Sequence, residues 1–100
     1  MAFERLVGLQ VIDEAGYQAY RDAMTPLLVA CGGGFGYDFK IAEVLKSATP
    51  EPINRVFTLH FPDQATMETF FADPRYQEIR RQHFDRSVAA VTRIAAYERE

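Results

Sequence analysis

Hydrophobic residues alternate with polar or small residues in three stretches of the chain. The first covers residues 3–12, the second begins at Phe35 and runs to about Leu45, and the third covers residues 55–61. A period of two is typical of a β-strand with one buried face. The pattern therefore predicts three strands, with the second and third paired as a hairpin.

A period of three to four residues replaces this alternation between the first two predicted strands. Tyr17, Tyr20 and Met24 follow the helical spacing, and Asp13 stands where a helix N-cap is expected. Pro26 lies inside the pattern and should bend the helix. The glycines at 32–34 supply the left-handed conformation that ends it.

Two further helix starts follow the third predicted strand. Asp63 and Asp73 are capping residues, and Pro74 suits a first helical position. These signals predict a helix and then a short second helical piece. Between Ser87 and Tyr97, valine, threonine and isoleucine are mixed with four alanines, so periodicity alone leaves strand or helix open. The place of this segment at the end of the chain favours a strand.

The predicted order is βαββαβ in one α+β domain spanning residues 1–100. Four strands in this order form an antiparallel sheet with the helices on one face. Alternation places Val7, Leu9, Val11, Phe57, Leu59 and Phe61 on the helix side and Leu6, Gly8, Gln10, Val56, Thr58 and His60 on the open side. Because two helices cannot reach the open side, we expect a homodimer that packs sheet against sheet.

Composition and charge exclude several function classes. Eleven Lys and Arg against fourteen Asp and Glu give a formal charge of −3, whereas nucleic-acid binding needs clustered positive charge. No apolar run is long enough to span a membrane, and no secretory signal is recognisable at the N-terminus. Cys31 is the single cysteine, which excludes an internal disulfide and favours a cytoplasmic protein.

Several short blocks, taken in order and spacing, carry a resemblance to a known family. They are residues 11–13 with Tyr17 and Tyr20, residues 25–28 leading to 31–33, residues 61–63 with Ala65 and Phe70, and residues 73–77. The chain resembles the small bacterial proteins called domain of unknown function thirteen-thirty (DUF1330). This resemblance implies a ferredoxin-like domain that pairs into a dimeric α+β barrel, an architecture shared with cofactor-free monooxygenases, haem-degrading enzymes and small isomerases. It implies no established activity.

The same resemblance implies an arginine about two turns after the tyrosine that matches Tyr76. The neighbourhood here offers several basic side chains, so the choice among them stays open. They are Arg80, Arg81, His83 and Arg86.

His60 and Asp38 are the candidate catalytic residues. A histidine within a strand, on the open face, would titrate near neutral pH. A hairpin turn centred near Thr49 sets Asp38 opposite His60, where the carboxylate could orient the imidazole as a general base. A histidine hydrogen-bonded inside a dimer interface is the competing interpretation.

The candidate ligand-binding residues are aromatic or basic. Tyrosine can hold an aromatic or phenolic ligand by stacking and hydroxyl contact, and a basic helical cluster can receive a carboxylate or phosphate. The residues concerned are Tyr20, Tyr37, Tyr76, Arg80 and His83. Tyrosines of the core and a solvated basic face explain the same residues structurally. No metal-ligand spacing is present, and no cofactor is expected.

Three functions follow from these observations. The first is a homodimer that binds a small organic ligand in a cavity between sheet and helices. The second is a cofactor-independent enzyme, a monooxygenase or isomerase, acting on a phenolic or enolisable molecule. The third is a purely structural dimer.

Overall fold

The computed structural model describes residues 1–100, and its elements follow the predicted order. The α+β class and the ferredoxin-like βαββαβ arrangement are confirmed. No helix combines the length and the hydropathy that crossing a lipid bilayer demands. The elements are β1 (Ala2–Val11), α1 (Glu14–Ala30), β2 (Gly34–Lys40), β3 (Arg55–Phe61), α2 (Gln64–Ala72), α3 (Pro74–Ile79), a π-helical turn (Arg80–Phe84) and β4 (Val88–Arg99).

Aspartate caps the start of each α-helix, as the sequence predicts. The Asp13 carboxylate accepts a hydrogen bond from the Gly16 N–H at 3.0 Å, and Asp63 and Asp73 cap α2 and α3 in the same way. Such caps satisfy backbone donors that lack a partner within the helix. At the other end of α1, Gly32 adopts a φ of +84°, which glycine tolerates without strain.

The four antiparallel strands lie in the order β2-β3-β1-β4, and the helices cover one face of the sheet. The strand residues predicted for the helix side are all buried there. From the helices, Tyr17, Met24 and Leu28 pack onto them and are almost fully buried. Burial of these apolar side chains is the main stabilising contribution to the fold.

Strand β2 departs from the prediction in length and in side-chain direction. It ends at Lys40, so the connection to β3 covers residues 41–54. A β-bulge lies between Phe35 and Asp38, because the Tyr37 N–H donates to the Thr58 hydroxyl at 2.8 Å instead of to the ladder. Gly36 leaves room for this contact, since a Cβ there would lie 2.6 Å from Thr58 Oγ1.

The bulge inverts the alternation of every residue after it. Phe35 packs against Phe57 on the helix side, with ring centroids 5.6 Å apart. Asp38 lies opposite Phe57 on that same side, whereas Phe39 lies opposite Val56 on the open side. Alternation alone leaves the direction of this strand open, and the register excludes the alternative that puts Tyr37 and Phe39 under the helices and Asp38 on the open face.

The open face is only partly covered by the chain itself. The 41–54 connection reaches it through Ile53, which packs against Gly8. Four large side chains on this face remain exposed, with Tyr37 at 64%, Phe39 at 52%, Ile94 at 46% and Tyr97 at 39%. Tyr37 and Phe39 pack side by side, with ring centroids 5.7 Å apart, and an exposed aromatic patch on a small domain is typical of an interaction site.

Candidate functional site

A cleft lies between the sheet and the helices, and its volume is about 570 Å³. Its walls come from α1, α2, α3 and the π-helical turn, through Tyr20, Phe71, Tyr76 and Phe84. We call it the sheet–helix cleft. Its size and its mainly apolar lining with a few polar groups are those of a small-molecule site. The floor is formed by Val7 and Leu9 of β1 and by Phe57 and Leu59 of β3.

Two tyrosine hydroxyls meet in this cleft. The Tyr20 and Tyr76 oxygens are 2.8 Å apart and share one hydrogen bond. Burial raises the pKa of Tyr20 well above its usual value, and burial also raises the pKa of Tyr76, although the Tyr20 hydrogen bond and Arg80 oppose that rise. Both hydroxyls therefore stay protonated at neutral pH. Because one O–H donates to the other, the second O–H is free to donate to a ligand.

The π-helical turn directs Arg80 into the cleft. Its guanidinium Cζ lies 4.7 Å from the centroid of the Phe84 ring, and both side chains line the cleft. A π-helical turn inserts one residue into a helix and is frequent at functional sites. Of the four basic candidates left open by the sequence, Arg80 is the one that reaches the sheet–helix cleft.

Arg5 and Arg93 also line the cleft, and both were missed by the sequence analysis. Arg5 could have been found, because it continues the alternation of Val7 and Leu9 on the helix side of β1. The side of the sheet on which Arg93 lies could not be predicted by alternation. Arg93 pairs with Val7, and the pairing of β1 with β4 is irregular next to Val7.

The predicted pairing of Asp38 with His60 is wrong. In the observed register, His60 lies opposite Gly34 of β2 and Glu4 of β1. The bulge in β2 also sends Asp38 to the other face of the sheet. His60 is half-buried on the open face, and neither residue lines the sheet–helix cleft.

Asp38 instead holds two arginines together. It accepts hydrogen bonds from Arg55 at 2.8 and 2.9 Å and from Arg21 at 3.0 Å. These bonds, those of Arg55 first, lower the pKa of the Asp38 carboxyl. Arg55 also pairs with Glu14 at 3.4 Å. The carboxylate is fully engaged in this cluster, which is structural in character.

The remaining predicted contacts lie outside the cleft. Tyr37 is on the open face, where its ring centroid is 5.7 Å from that of Phe39. His83 does not line the cleft, and its carbonyl accepts a hydrogen bond from Ser87 at 2.7 Å. The exposed Arg81 forms an ion pair with Glu78 one turn earlier. Of the predicted ligand-binding residues, Tyr20, Tyr76 and Arg80 therefore line the cleft.

A second cavity, of about 600 Å³, lies on the open side of the sheet. The 41–54 connection forms one wall, and Val56, Thr92 and Ile94 form the other. The Thr92 hydroxyl is buried there without a hydrogen-bond partner. No three His, Cys, Asp or Glu side chains come together anywhere in a group that could hold a metal ion.

Comparisons with known proteins give a family and a fold. The family model described as Domain of unknown function (DUF1330) matches residues 6–97, and no curated protein matches the chain. Among solved structures, a protein of unknown function from Rhodopseudomonas palustris is 18% identical with a TM-score of 0.82, over 99% of this chain and 82% of that one.

Two further structures share the architecture. A dabb family protein with a ferredoxin-like fold from Mesorhizobium loti is 14% identical, with a TM-score of 0.70 over 99% of this chain and 97% of that one. A dimeric ferredoxin-like protein of unknown function from Jannaschia sp. CCS1 is 16% identical, with a TM-score of 0.60 over 98% and 99%. At these identities the likeness establishes the fold.

Proposed function

The chain belongs to the DUF1330 family, and we propose that it forms a cytoplasmic homodimer that binds a small organic molecule in the sheet–helix cleft. The observation that carries the binding proposal is the cleft itself, about 570 Å³ of space between core side chains with two tyrosine hydroxyls converging on it. The cleft is partly open to solvent, and ligand sites are typically concave, mainly apolar spaces of about this size with a few polar groups. A small organic molecule is therefore the occupant that this cleft fits best.

The occupant contacts an apolar floor and a polar end. Phe71 and Val91 present partly exposed apolar surface above this floor, while Tyr20 and Tyr76 offer the free O–H donor described above. An organic ligand covers the exposed apolar surface and gains the hydrophobic contribution of that burial. Arg80 lies on the same polar side and supplies a charge-assisted donor.

Filling the cleft tests this proposal. Val91 lines it from the edge strand β4 and is 42% exposed, so a larger side chain is accommodated without disturbing the core. We expect Val91→Trp to abolish the thermal stabilisation that wild-type protein gains from hits in a panel of small phenols, acids and amides. Val29→Trp is the matched control, because Val29 is exposed on α1 and lines neither cavity. Equal stabilisation of Val91→Trp and wild type would contradict binding in the cleft.

The homodimer is supported by the open face of the sheet. Its exposed aromatic residues include Tyr37 and Phe39, and the similar protein from Jannaschia is described as dimeric. Burying roughly 800 Å² per subunit is enough for a stable interface. Sedimentation at micromolar concentration should give two chains for wild type and one chain for Phe39→Glu. Val29→Glu, which changes an exposed residue of α1 on the helix-covered side, should remain dimeric.

Catalysis of enolisation is a second candidate, favoured by the Tyr20–Tyr76 pair. The free O–H of this pair can donate to the carbonyl oxygen on which charge develops, while water or hydroxide from the solvent takes the α-proton. Phenylpyruvate incubated in D₂O with wild-type protein should exchange its α-protons faster than with Tyr76→Phe. A rate equal to that without protein would leave binding as the function.

A further inference from the structure

Two guanidinium groups in the sheet–helix cleft have no acidic partner. Arg5 and Arg93 lie on neighbouring strands and both line the cleft. Arg5 is half-buried, whereas Arg93 is exposed on the edge strand and also borders the second cavity. Neither guanidinium has a carboxylate oxygen within 4.0 Å. The third cleft arginine, Arg80, has a distant partner, with Asp85 at 3.7 Å.

The electrostatic consequence is an uncompensated positive charge beside an apolar floor. Burial, and then the nearby charge of Arg93, lower the pKa of Arg5. Arginine nevertheless keeps its proton at neutral pH, so both groups carry positive charge at the cleft. Arg5 is held in place meanwhile by the Phe71 ring, whose centroid is 4.7 Å from the guanidinium carbon.

From this arrangement we infer that the ligand of the sheet–helix cleft is an organic carboxylate with an apolar or aromatic body, held at its carboxylate by Arg5 and Arg93. The inference rests on the proposed function, since it concerns the occupant of the same cleft. The carboxylate is planar and matches the forked donors of a guanidinium. The free hydroxyl of the Tyr20–Tyr76 pair adds a neutral donor.

The apolar body follows from the exposed walls of the cleft. Phe71 is half-buried and Val91 is 42% exposed, so an ion such as inorganic phosphate would leave this apolar surface wet. A hydrocarbon or aromatic group attached to the carboxylate covers these walls while the charged end stays with the arginines. Both parts of the cleft are then satisfied by one molecule.

A matched pair of probes tests the charge separately from the shape. Calorimetric titration with 3-phenylpropionate and with its primary amide, 3-phenylpropanamide, compares an anion with a neutral molecule of nearly the same size. We expect the acid to bind wild-type protein about tenfold more tightly than the amide, as a charge-assisted hydrogen bond predicts. Excess inorganic phosphate at constant ionic strength should not displace the acid.

Variants then assign the preference to the two arginines. Arg5→Met and Arg93→Met should each weaken binding of the acid about tenfold and leave the amide unchanged. Arg5→Lys, which keeps the charge, should recover part of the loss and so separates charge from folding defects. Arg81→Met is the control, because Arg81 is exposed and pairs with Glu78 outside the cleft.

The possible failures are distinguishable. If acid and amide bind equally and Val91→Trp abolishes both, the carboxylate inference is overturned while the cleft remains a binding site. Displacement of the acid by phosphate would likewise overturn it in favour of a simple anion site. If neither probe binds at millimolar concentration, the inference fails together with the proposed function on which it rests.

Discussion

Two pairs of arginines lie on the helix-covered side of the sheet, and the chain neutralises only one of them. Arg21 and Arg55 share Asp38, whereas Arg5 and Arg93 share no acid. In the first pair both guanidinium groups lie over aromatic rings, with Arg21 3.5 Å from the Phe35 centroid and Arg55 5.0 Å from that of Tyr17. In the second pair only Arg5 does, 4.7 Å from the Phe71 centroid. The shared carboxylate and the greater aromatic contact make the first pair a closed structural cluster, whereas the second pair is left open to an anion.

The largest expected change in the free energy of unfolding comes from replacing Asp38, the acid that Arg21 and Arg55 share. Asp38→Asn should lower the free energy of unfolding by about 2 kcal/mol, because it leaves Arg21 and Arg55 largely buried without a countercharge, although partial exposure keeps the loss below that of a fully buried pair. Urea denaturation at a fixed protein concentration measures it. Asp22→Asn, at an exposed position that accepts only from Gln18, should change the value by less than about 0.5 kcal/mol.

Low pH should weaken the ion pairs of Asp38 in the wild-type protein as well. The pKa of Asp38 is lower in the folded chain than its usual 3.8. Its contribution is therefore complete above the unfolded pKa and is lost as pH falls through the folded pKa. The difference in unfolding free energy between wild type and Asp38→Asn should shrink by about 1 kcal/mol from pH 6 to pH 3, after allowance for solvent screening. A constant difference would show that the carboxylate charge contributes nothing.

The smallest effect is expected at the unpaired arginines. Without ligand, Arg5→Met should leave the free energy of unfolding within about 0.5 kcal/mol of wild type, on the stabilising side, because it removes repulsion with Arg93 and keeps apolar contact with Phe71. Arg21→Met is the matched comparison and should cost about 1 to 2 kcal/mol. A similar loss for both variants would erase the distinction between the two pairs.

Much of this fold could be predicted because local signals agreed with the tertiary structure. The bounds of β3 match the alternation from Arg55 to Phe61, and the caps at Asp13, Asp63 and Asp73 begin the three α-helices as expected. Each signal depends on the residue itself and its near neighbours in sequence. Such features need no knowledge of which strand lies beside which.

The candidate site was less predictable because it depends on register. The predicted turn centred near Thr49 set Asp38 opposite His60, whereas the observed ladder pairs His60 with Gly34. The bulge at Gly36 and Tyr37 then places Asp38 on the helix side while the alternation of residue types in β2 stays intact. The π-helical turn that aims Arg80 into the cleft has no pattern of its own in residues 80–84. Tyr20 and Tyr76 could be named individually, but their contact across 56 positions required the packed structure.

The bulge in β2 serves both surfaces of the sheet at once. One extra residue turns a carboxylate inward, where it bridges a helix to a strand, and turns two aromatic rings outward, where a second subunit could dock. Deleting Gly36 would remove the extra residue, and Tyr37, Asp38 and Phe39 would then alternate regularly in the directions they already have. The inserted residue thus lets a segment with strictly alternating residue types carry an ion pair beneath α1 and aromatic rings on the outer surface.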